Sequence, residues 1–235
     1  MIVAIHQPNY LPWCGYFAKL AAADAFVVLD DVPLSNGRSF VSRTAVLGSH
    51  GRQWLSAPLS RAGTPAIAEA RFAGLHWVSQ HLRTLHAMYG HAAYAKVLLD
   101  PLRTLYSAPA ERIADFNLSA IAQLCSLLGL KTPVVRASEL GVPGSGSRHL
   151  LALVQAVGGT TYLSGPSGRK YLEPAVFREA GVDIRYGEYV PPPYPQGRAE
   201  FVPALSIVDA LFHIGPTATR ELLSYPSRSC ADAPA

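Results

Sequence analysis

The sequence predicts an α/β fold: a largely parallel sheet flanked by helices, with a helical insertion at about residues 75–128. Two short apolar runs, at residues 2–5 and 26–29, lie on either side of a helical stretch, which is the pattern of a βαβ unit. Apolar residues then repeat at helical spacing through residues 75–128. From residue 134 onward, short apolar runs alternate again with helical segments, an order typical of a parallel sheet.

Each element has its own local signal. The strands expected in the parallel sheet are apolar runs bounded by turn residues, at 2–5, 26–29, 134–135 and 162–163. A further strand is expected at 182–186, and helices are expected at 147–157, 174–180 and 205–214. Apolar runs on both sides of residues 49–52 predict a β-hairpin, and Gly129 is expected to end the last helix of the insertion. We expect one domain over 1–225 and a frayed tail at 226–235.

Composition excludes several classes of protein. The net charge of +4 comes from 20 basic and 16 acidic residues without a Lys/Arg block, which permits an anionic substrate but does not indicate DNA binding. No uncharged apolar stretch reaches the about 20 residues of a membrane span. The N-terminus lacks the pattern of a signal peptide, and Cys14, Cys125 and Cys230 are too scattered for a disulfide framework. We therefore expect a cytoplasmic protein.

Polar residues follow the first two predicted strands. His6 comes directly after the first strand, with Gln7 and Asn9 beside it, and Asp30 and Asp31 follow the second. Ligands of parallel sheets bind beyond the carboxyl ends of the strands, so these side chains outline a site. An imidazole there suits general acid–base catalysis; the alternative is a core histidine with one satisfied hydrogen bond.

The two adjacent acids cannot both face one site directly, because neighbouring side chains of an extended chain point to opposite faces. One acid could be a general base, an acceptor for an amine or a metal ligand. The other is expected to cap a turn or to pair with Arg38 or Arg43. Because His6 and two acids lack the tight spacing of a metal site, we predict none.

Two loops and one thiol are further candidates. Arg38 and Arg43 suit phosphate or carboxylate recognition, or a structural ion pair. The loop from Ser164 to Tyr171 follows a strand and could bind an anion through backbone N–H groups, or could be an ordinary turn. Cys14, at the start of a helix, could be a nucleophile or could simply pack.

The chain resembles the WbqC-like proteins over residues 2 to about 223. The motifs that carry the resemblance are residues 6–13 (HQPNYLPW), 15–17, 26–32, 38–40 with 43, 53–55, 162–165, 171–172, 194 with 196, and 205–209. Members of this family occur in bacterial gene clusters for O-antigen and other surface polysaccharides. The resemblance implies a glycine or aminoacyl transferase that acts on amino sugars.

The predicted function is therefore transfer of an acyl or aminoacyl group, for example glycyl, onto an amine of an amino sugar or related small metabolite. The predicted catalytic residues are His6, Asp30 and Asp31. The predicted substrate-binding residues are Gln7, Asn9, Tyr10, Arg38, Arg43, Ser164, Gly165, Lys170, Tyr171 and Gln196. No cofactor is required, because a thioester on a carrier protein or coenzyme A, or a charged tRNA, supplies the activated group.

Two alternatives remain at the level of sequence. A strand that ends in histidine, followed by a proline-bearing loop and a helix, is similar to the nucleotidylyltransferase-like fold, although the second histidine of that signature is missing. One alternative is thus an enzyme with a nucleotide co-substrate and Mg²⁺ held by the acids. The other is a non-catalytic protein that binds glycans or nucleotide sugars.

Overall fold

The computed structural model describes residues 1–35, 37, 39–60, 63–225 and 227–229, the last three as backbone only. The predicted site residue Arg38, Cys230 and most of the tail at 226–235 lie outside the described residues.

The strands are β1 (Ile2–His6), β2 (Ala25–Val28), β3 (Arg43–Gly48), β4 (Gly51–Ser56), β5 (Val134–Arg136), β6 (Thr161–Ser164), β7 (Asp183–Gly187) and β8 (Ser227–Ser229). The α-helices are α1 (Cys14–Ala21), α2 (His76–Tyr89), α3 (Ala95–Ser107), α4 (Ile113–Leu128), α5 (Ala137–Leu140), α6 (Gly146–Ala156), α7 (Pro174–Glu179) and α8 (Ile207–Glu221). Short 3₁₀ turns lie at Ile67–Glu69 and Pro166–Lys170.

The main sheet has the strand order β5-β2-β1-β6-β7-β8. All its strands run parallel except β8, which pairs antiparallel with β7 at the edge. From β1 the chain adds β2 and β5 on one side and then crosses over to add β6 and β7 on the other. The order therefore reverses between β1 and β6, and the carboxyl ends of strands at such a switch point border a crevice.

Both faces of the sheet are covered, which explains why its strands are continuous apolar runs rather than alternating ones. Alternate residues of β1 belong to different cores. Ala4 packs with Phe17 of α1 and with the insertion and α8, whereas Val3 and Ile5 pack with α6 and α7. The α/β fold with a largely parallel sheet flanked by helices is therefore confirmed.

The predicted hairpin and helical insertion are also confirmed. Strands β3 and β4 pair antiparallel and turn between Gly48 and Gly51, whose φ of 104° needs glycine. Helices α2, α3 and α4 occupy most of residues 76–128, and α4 ends at Gly129 with φ 63°, as expected for a C-terminal cap.

The last helix is longer than the predicted 205–214. Helix α8 begins after Ser206, whose hydroxyl accepts a hydrogen bond from the backbone N–H of Val208, and continues to Glu221 across a kink. At the kink Gly215 has φ 76° and ψ 174°, and Pro216 follows. Since proline suits the first turn of a helix, the segment after Gly215 starts a new helical stretch in a changed direction.

Within the described residues, none of the helices combines the length and the apolar composition that a membrane span requires.

Candidate functional site

A cleft of about 830 Å³ lies at the carboxyl ends of β1 and β6, where the strand order reverses. Its size is that of a pocket for a small molecule. The polar side chains that the strand ends and the nearest helices contribute to its lining are His6, Gln7, Asn9, Lys19, His149 and Ser164. The cleft therefore brings together residues from both ends of the chain and from two helices.

His6 lies at the end of β1, half-buried in the cleft lining. Its Nδ1 lies 3.1 Å from the carbonyl oxygen of Gln7. Because a carbonyl only accepts hydrogen bonds, Nδ1 carries the proton and Nε2 carries the lone pair. Burial and, to a smaller extent, the charge of Lys19 together lower the pKa of His6 from 6.5 to about 4. The imidazole is thus neutral at physiological pH, with Nε2 as its acceptor atom.

Lys19, which the sequence analysis missed, lies in the same part of the cleft. It is only 4% exposed, and its Nζ donates to the carbonyl oxygen of Ile5 at 2.8 Å. Burial lowers the pKa of this amine from 10.5 to about 7. An available signal was its isolation within the apolar sequence of α1, since a lysine rarely becomes buried without a partner.

Asp30 lies outside the cleft lining and is fully buried in a structural network. Its carboxylate accepts hydrogen bonds from Arg136 Nε at 2.7 Å and from the backbone N–H and the hydroxyl of Ser138, both at 2.9 Å. The expected ion pair of an acid with Arg43 is not formed by Asp30. Its partner comes instead from β5, because β5 lies next to β2 in the sheet.

Asp31 contacts the cleft only through a second histidine. Its Oδ2 lies 2.9 Å from Nε2 of His149, which lines the cleft from the first turns of α6. The other polar atoms of this pair, Asp31 Oδ1 and His149 Nδ1, are buried and have no hydrogen-bond partner among the described residues. The sequence analysis did not single out His149, because nothing in its neighbourhood along the chain resembles a motif.

The loop after β6 lines the cleft with its backbone and small side chains. Ser164 is buried and its hydroxyl donates to the carbonyl oxygen of Gly165 at 3.2 Å, while Tyr171 lies at the rim, 59% exposed. Lys170 is exposed and does not line the cleft. Arg169 stacks over Tyr186 at 4.2 Å from the ring centroid. The loop thus presents few charges to a ligand.

Gln7 and Asn9 line the cleft beside His6, and Asn9 is only 7% exposed. Tyr10 also borders the cleft, but its hydroxyl is bonded in the core to His81 Nδ1 at 2.8 Å and to the hydroxyl of Tyr106. Of the opening motif, therefore, the first polar residues face the cleft and the tyrosine hydroxyl belongs to the core.

Two further predicted binding residues lie elsewhere. Gln196 is buried and donates from Nε2 to the carboxylate of Asp209 at 2.8 Å. Arg43 stacks on Trp54, with its guanidinium carbon 4.3 Å from the ring centroid. Neither side chain lines the cleft.

The thiol of Cys14 is buried, and burial raises its pKa to about 12. It is protonated at neutral pH, and Cys14 lies outside the lining of the cleft. These features favour the packing interpretation. Among the described residues, no group of three or more His, Cys, Asp or Glu side chains is arranged to hold a metal ion.

The sequence of this chain is similar to those of known proteins. The family model of the WbqC-like protein family matches residues 7–221. The chain belongs to the WbqC-like family. It is 32% identical over 220 residues to the uncharacterized protein Rv1507c of Mycobacterium tuberculosis, a match that covers 92% of this chain and 95% of the relative. No solved structure matches this WbqC-like chain at a significant level.

Proposed function

We propose that this WbqC-like protein is a transferase that moves an acyl or aminoacyl group, such as glycyl, onto an amine of an amino sugar or related small metabolite. The observation that carries the proposal is His6: a neutral imidazole whose Nε2 lone pair is available at the switch-point cleft. Acyl transfer to an amine needs a base in this state beside a pocket for the acceptor.

In the proposed reaction the acceptor nitrogen attacks the carbonyl carbon of the donor, and His6 Nε2 takes the proton that the nitrogen loses. The tetrahedral intermediate then collapses, the bond to the donor's sulfur or oxygen breaks, and His6 returns the proton to that leaving group. The low pKa of His6 keeps the imidazole in its base form near neutral pH and makes the imidazolium a strong proton donor.

The oxyanion of the intermediate needs hydrogen-bond donors nearby. The side-chain amides of Gln7 and Asn9 and the backbone N–H groups of the loop at Gly165 are the candidates from the cleft lining. The activated acyl group itself comes with the donor, which we propose to be a carrier-protein or coenzyme A thioester or a charged tRNA. The chemistry then requires no resident cofactor.

A nucleotide-dependent enzyme is the second candidate, and the crossover between β1 and β6 favours it, since mononucleotides bind at such switch points. The charged residues near the cleft give this nucleotide-dependent candidate less support. The acids that would hold Mg²⁺ are paired with Arg136 and His149, and Lys170 lies outside the cleft. Mg²⁺-dependent turnover of a nucleotide would select this candidate.

The test incubates the protein with a glycyl thioester or glycyl-tRNA and a nucleotide-linked amino sugar, and detects the new amide by mass spectrometry. His6→Ala should lower turnover by about 10²–10⁴-fold and leave the thermal midpoint nearly unchanged. His91→Ala is the matched control, because His91 is exposed on the loop between α2 and α3.

A purely structural role of His6 predicts a different result for this variant. If His6 were a satisfied core histidine, truncation would cost about 1–3 kcal/mol of stability and leave the activity of the folded protein unchanged. Full activity in His6→Ala would favour a different base, and ligand binding without any turnover would favour the non-catalytic binding protein.

A further inference from the structure

Lys19 has no role in the proton transfers described above. It is one of four lysines in the chain, Lys19, Lys96, Lys131 and Lys170, and it is the buried one, whereas the other three are exposed. Burying an amine without a counter-charge is costly, so a lysine in this position needs a compensating contact. Because Lys19 lies in the cleft lining, a ligand in the cleft can supply that contact.

The hydrogen bonds of Lys19 are incomplete. A protonated amine has three N–H donors, and within the described residues Nζ has a single hydrogen-bond acceptor, the Ile5 carbonyl oxygen at 2.8 Å. No carboxylate of the described part of the chain lies within 4.0 Å of Nζ. The remaining donors are therefore available to a ligand in the cleft.

We propose that Lys19 binds an oxyanion, a carboxylate or phosphoryl group, that the substrate carries close to its reacting centre beside His6. A buried, charged amine in the lining of the cleft forms a strong, charge-assisted hydrogen bond with such a group. This proposal rests on the proposed function only for the identity of the substrate that carries the oxyanion. Binding of an oxyanion by Lys19 can be measured without turnover.

The electrostatics of the free protein support this role. Burial lowers the pKa of Lys19 to about 7, so part of the population is uncharged until an anion binds. An oxyanion bound next to the amine favours the charged form and raises this pKa again. The surrounding side chains do not supply that charge: His6 on β1 is neutral, and burial raises the pKa of Tyr16 on α1 well above its usual range.

Further ionisable side chains line the cleft, among them His149 on α6, Arg52 on β4 and Glu188 after β7. His149 is already paired with Asp31, and Arg52 donates to the carbonyl oxygen of Pro203. A test of the proposal must therefore observe Lys19 itself rather than the pH dependence of binding alone.

Nuclear magnetic resonance of protein labelled with ¹³C at the lysine ε-carbon provides that observation, because only four signals are expected. In the free protein the Lys19 signal should titrate near pH 7, and the signal of the exposed Lys96 serves as the internal reference. Inorganic phosphate and acetate are the two probes, added separately. Either should move the Lys19 titration to higher pH and leave that of Lys96 in place.

The two probes separate the sources of the oxyanion. A shift with phosphate alone assigns a phosphoryl group, a shift with acetate alone assigns a carboxylate, and a shift with both assigns a general oxyanion site. Equal shifts of Lys19 and Lys96 would indicate an effect of ionic strength and would overturn the proposal. So would a Lys19 titration that neither probe changes.

A variant gives an independent measurement. Lys19→Met should weaken binding of the effective probe, measured by calorimetry, about ten- to hundredfold, the range expected for one charge-assisted hydrogen bond. Lys96→Met is the matched control and should bind like the wild type. Unchanged binding in a folded Lys19→Met protein refutes the proposal; if this variant does not fold, the wild-type titration decides. If the wild-type protein shows no transferase activity while a probe still shifts the Lys19 titration, the proposed function alone is overturned.

Discussion

Asp30 and Asp31 are adjacent in the chain but belong to different environments. The Asp30 carboxylate is fully buried and satisfied by Arg136 and Ser138, while Asp31 contacts His149 in the wall of the cleft. The reason is geometric, because consecutive side chains of an extended segment point to opposite sides. At the scale of single residues, the first acid is therefore expected to affect stability and the second to affect the site.

Asp30→Asn should lower the free energy of unfolding by about 3 kcal/mol, because it breaks the ion pair between a fully buried carboxylate and the partly buried guanidinium of Arg136. Urea unfolding followed by circular dichroism measures this loss. The matched control is Asp100→Asn, whose ion pair with Arg103 is exposed and should contribute less than about 1 kcal/mol. Equal losses in the two variants would contradict the structural role of Asp30.

Asp31→Asn should lower the activity more than the stability. The amide no longer attracts the His149 imidazole as a carboxylate does, so the cleft wall should lose its fixed orientation. We expect kcat/KM for the transfer reaction to fall about tenfold, the equivalent of one hydrogen bond to a charged group. The thermal midpoint should change less than in Asp30→Asn. A variant with full activity and a large loss of stability would reverse the two assignments.

At the scale of elements, the kink in α8 connects the cleft with the helical insertion. Ser206, just before α8, lines the cleft, and Arg220 near the end of the helix donates to the carbonyl oxygens of Leu128 and Gly129 at the end of α4. Between these two contacts the helix changes direction at Gly215. The aromatic ring of Tyr94 occupies the space beside this glycine.

Gly215→Ala should therefore destabilise the protein by about 1–3 kcal/mol, because a Cβ at this position would lie 2.5 Å from the ring of Tyr94 and φ is 76°. The thermal midpoint measures the effect. Gly181→Ala is the control: φ there is 72°, but no heavy atom lies within 4 Å of the added Cβ. If both variants lose the same stability, packing against Tyr94 is not the reason for the glycine.

At the scale of the whole molecule, buried bases dominate the predicted pH dependence of stability. Burial lowers the pKa of His6 and of His81 from 6.5 to about 4, and that of Lys19 from 10.5 to about 7. Within these windows the unfolded chain binds more protons than the folded protein. Protonation therefore favours unfolding, and stability rises with pH in both windows.

We accordingly expect the free energy of unfolding to increase from pH 4 to 6.5 and again from pH 7 to about 9. Above that pH the ionisation of cysteines and tyrosines in the unfolded chain opposes the increase, because burial raises the pKa of these groups in the folded protein. Urea unfolding at a series of pH values checks the two slopes. In Lys19→Met the slope above pH 7 should become smaller, whereas Lys96→Met should keep it. A wild-type curve that falls between pH 7 and 9 would contradict the buried, uncompensated lysine.

Local sequence patterns were sufficient for the architecture. Apolar runs predicted β1, β2, β5 and β6 in one sheet, and helical spacing predicted the insertion, because burial on one face or on both faces imposes its period directly on the chain. His6 at the end of β1 could be identified in the same way. The predicted end of the last helix at residue 214 coincides with the kink at Gly215, but the second helical stretch, from Pro216 to Glu221, was not predicted.

The partners of the polar side chains were decided only by the tertiary structure. Asp30 meets Arg136 across 106 residues of sequence, and Gln196 joins the buried carboxylate of Asp209 rather than the cleft. The apolar sequence of α1 signals that Lys19 is unusual, but only the packing of α1 beside the end of β1 makes it a cleft residue. Periodicity reports which face of an element is buried, whereas a charged side chain is stabilised by whichever group the completed fold places within hydrogen-bond distance.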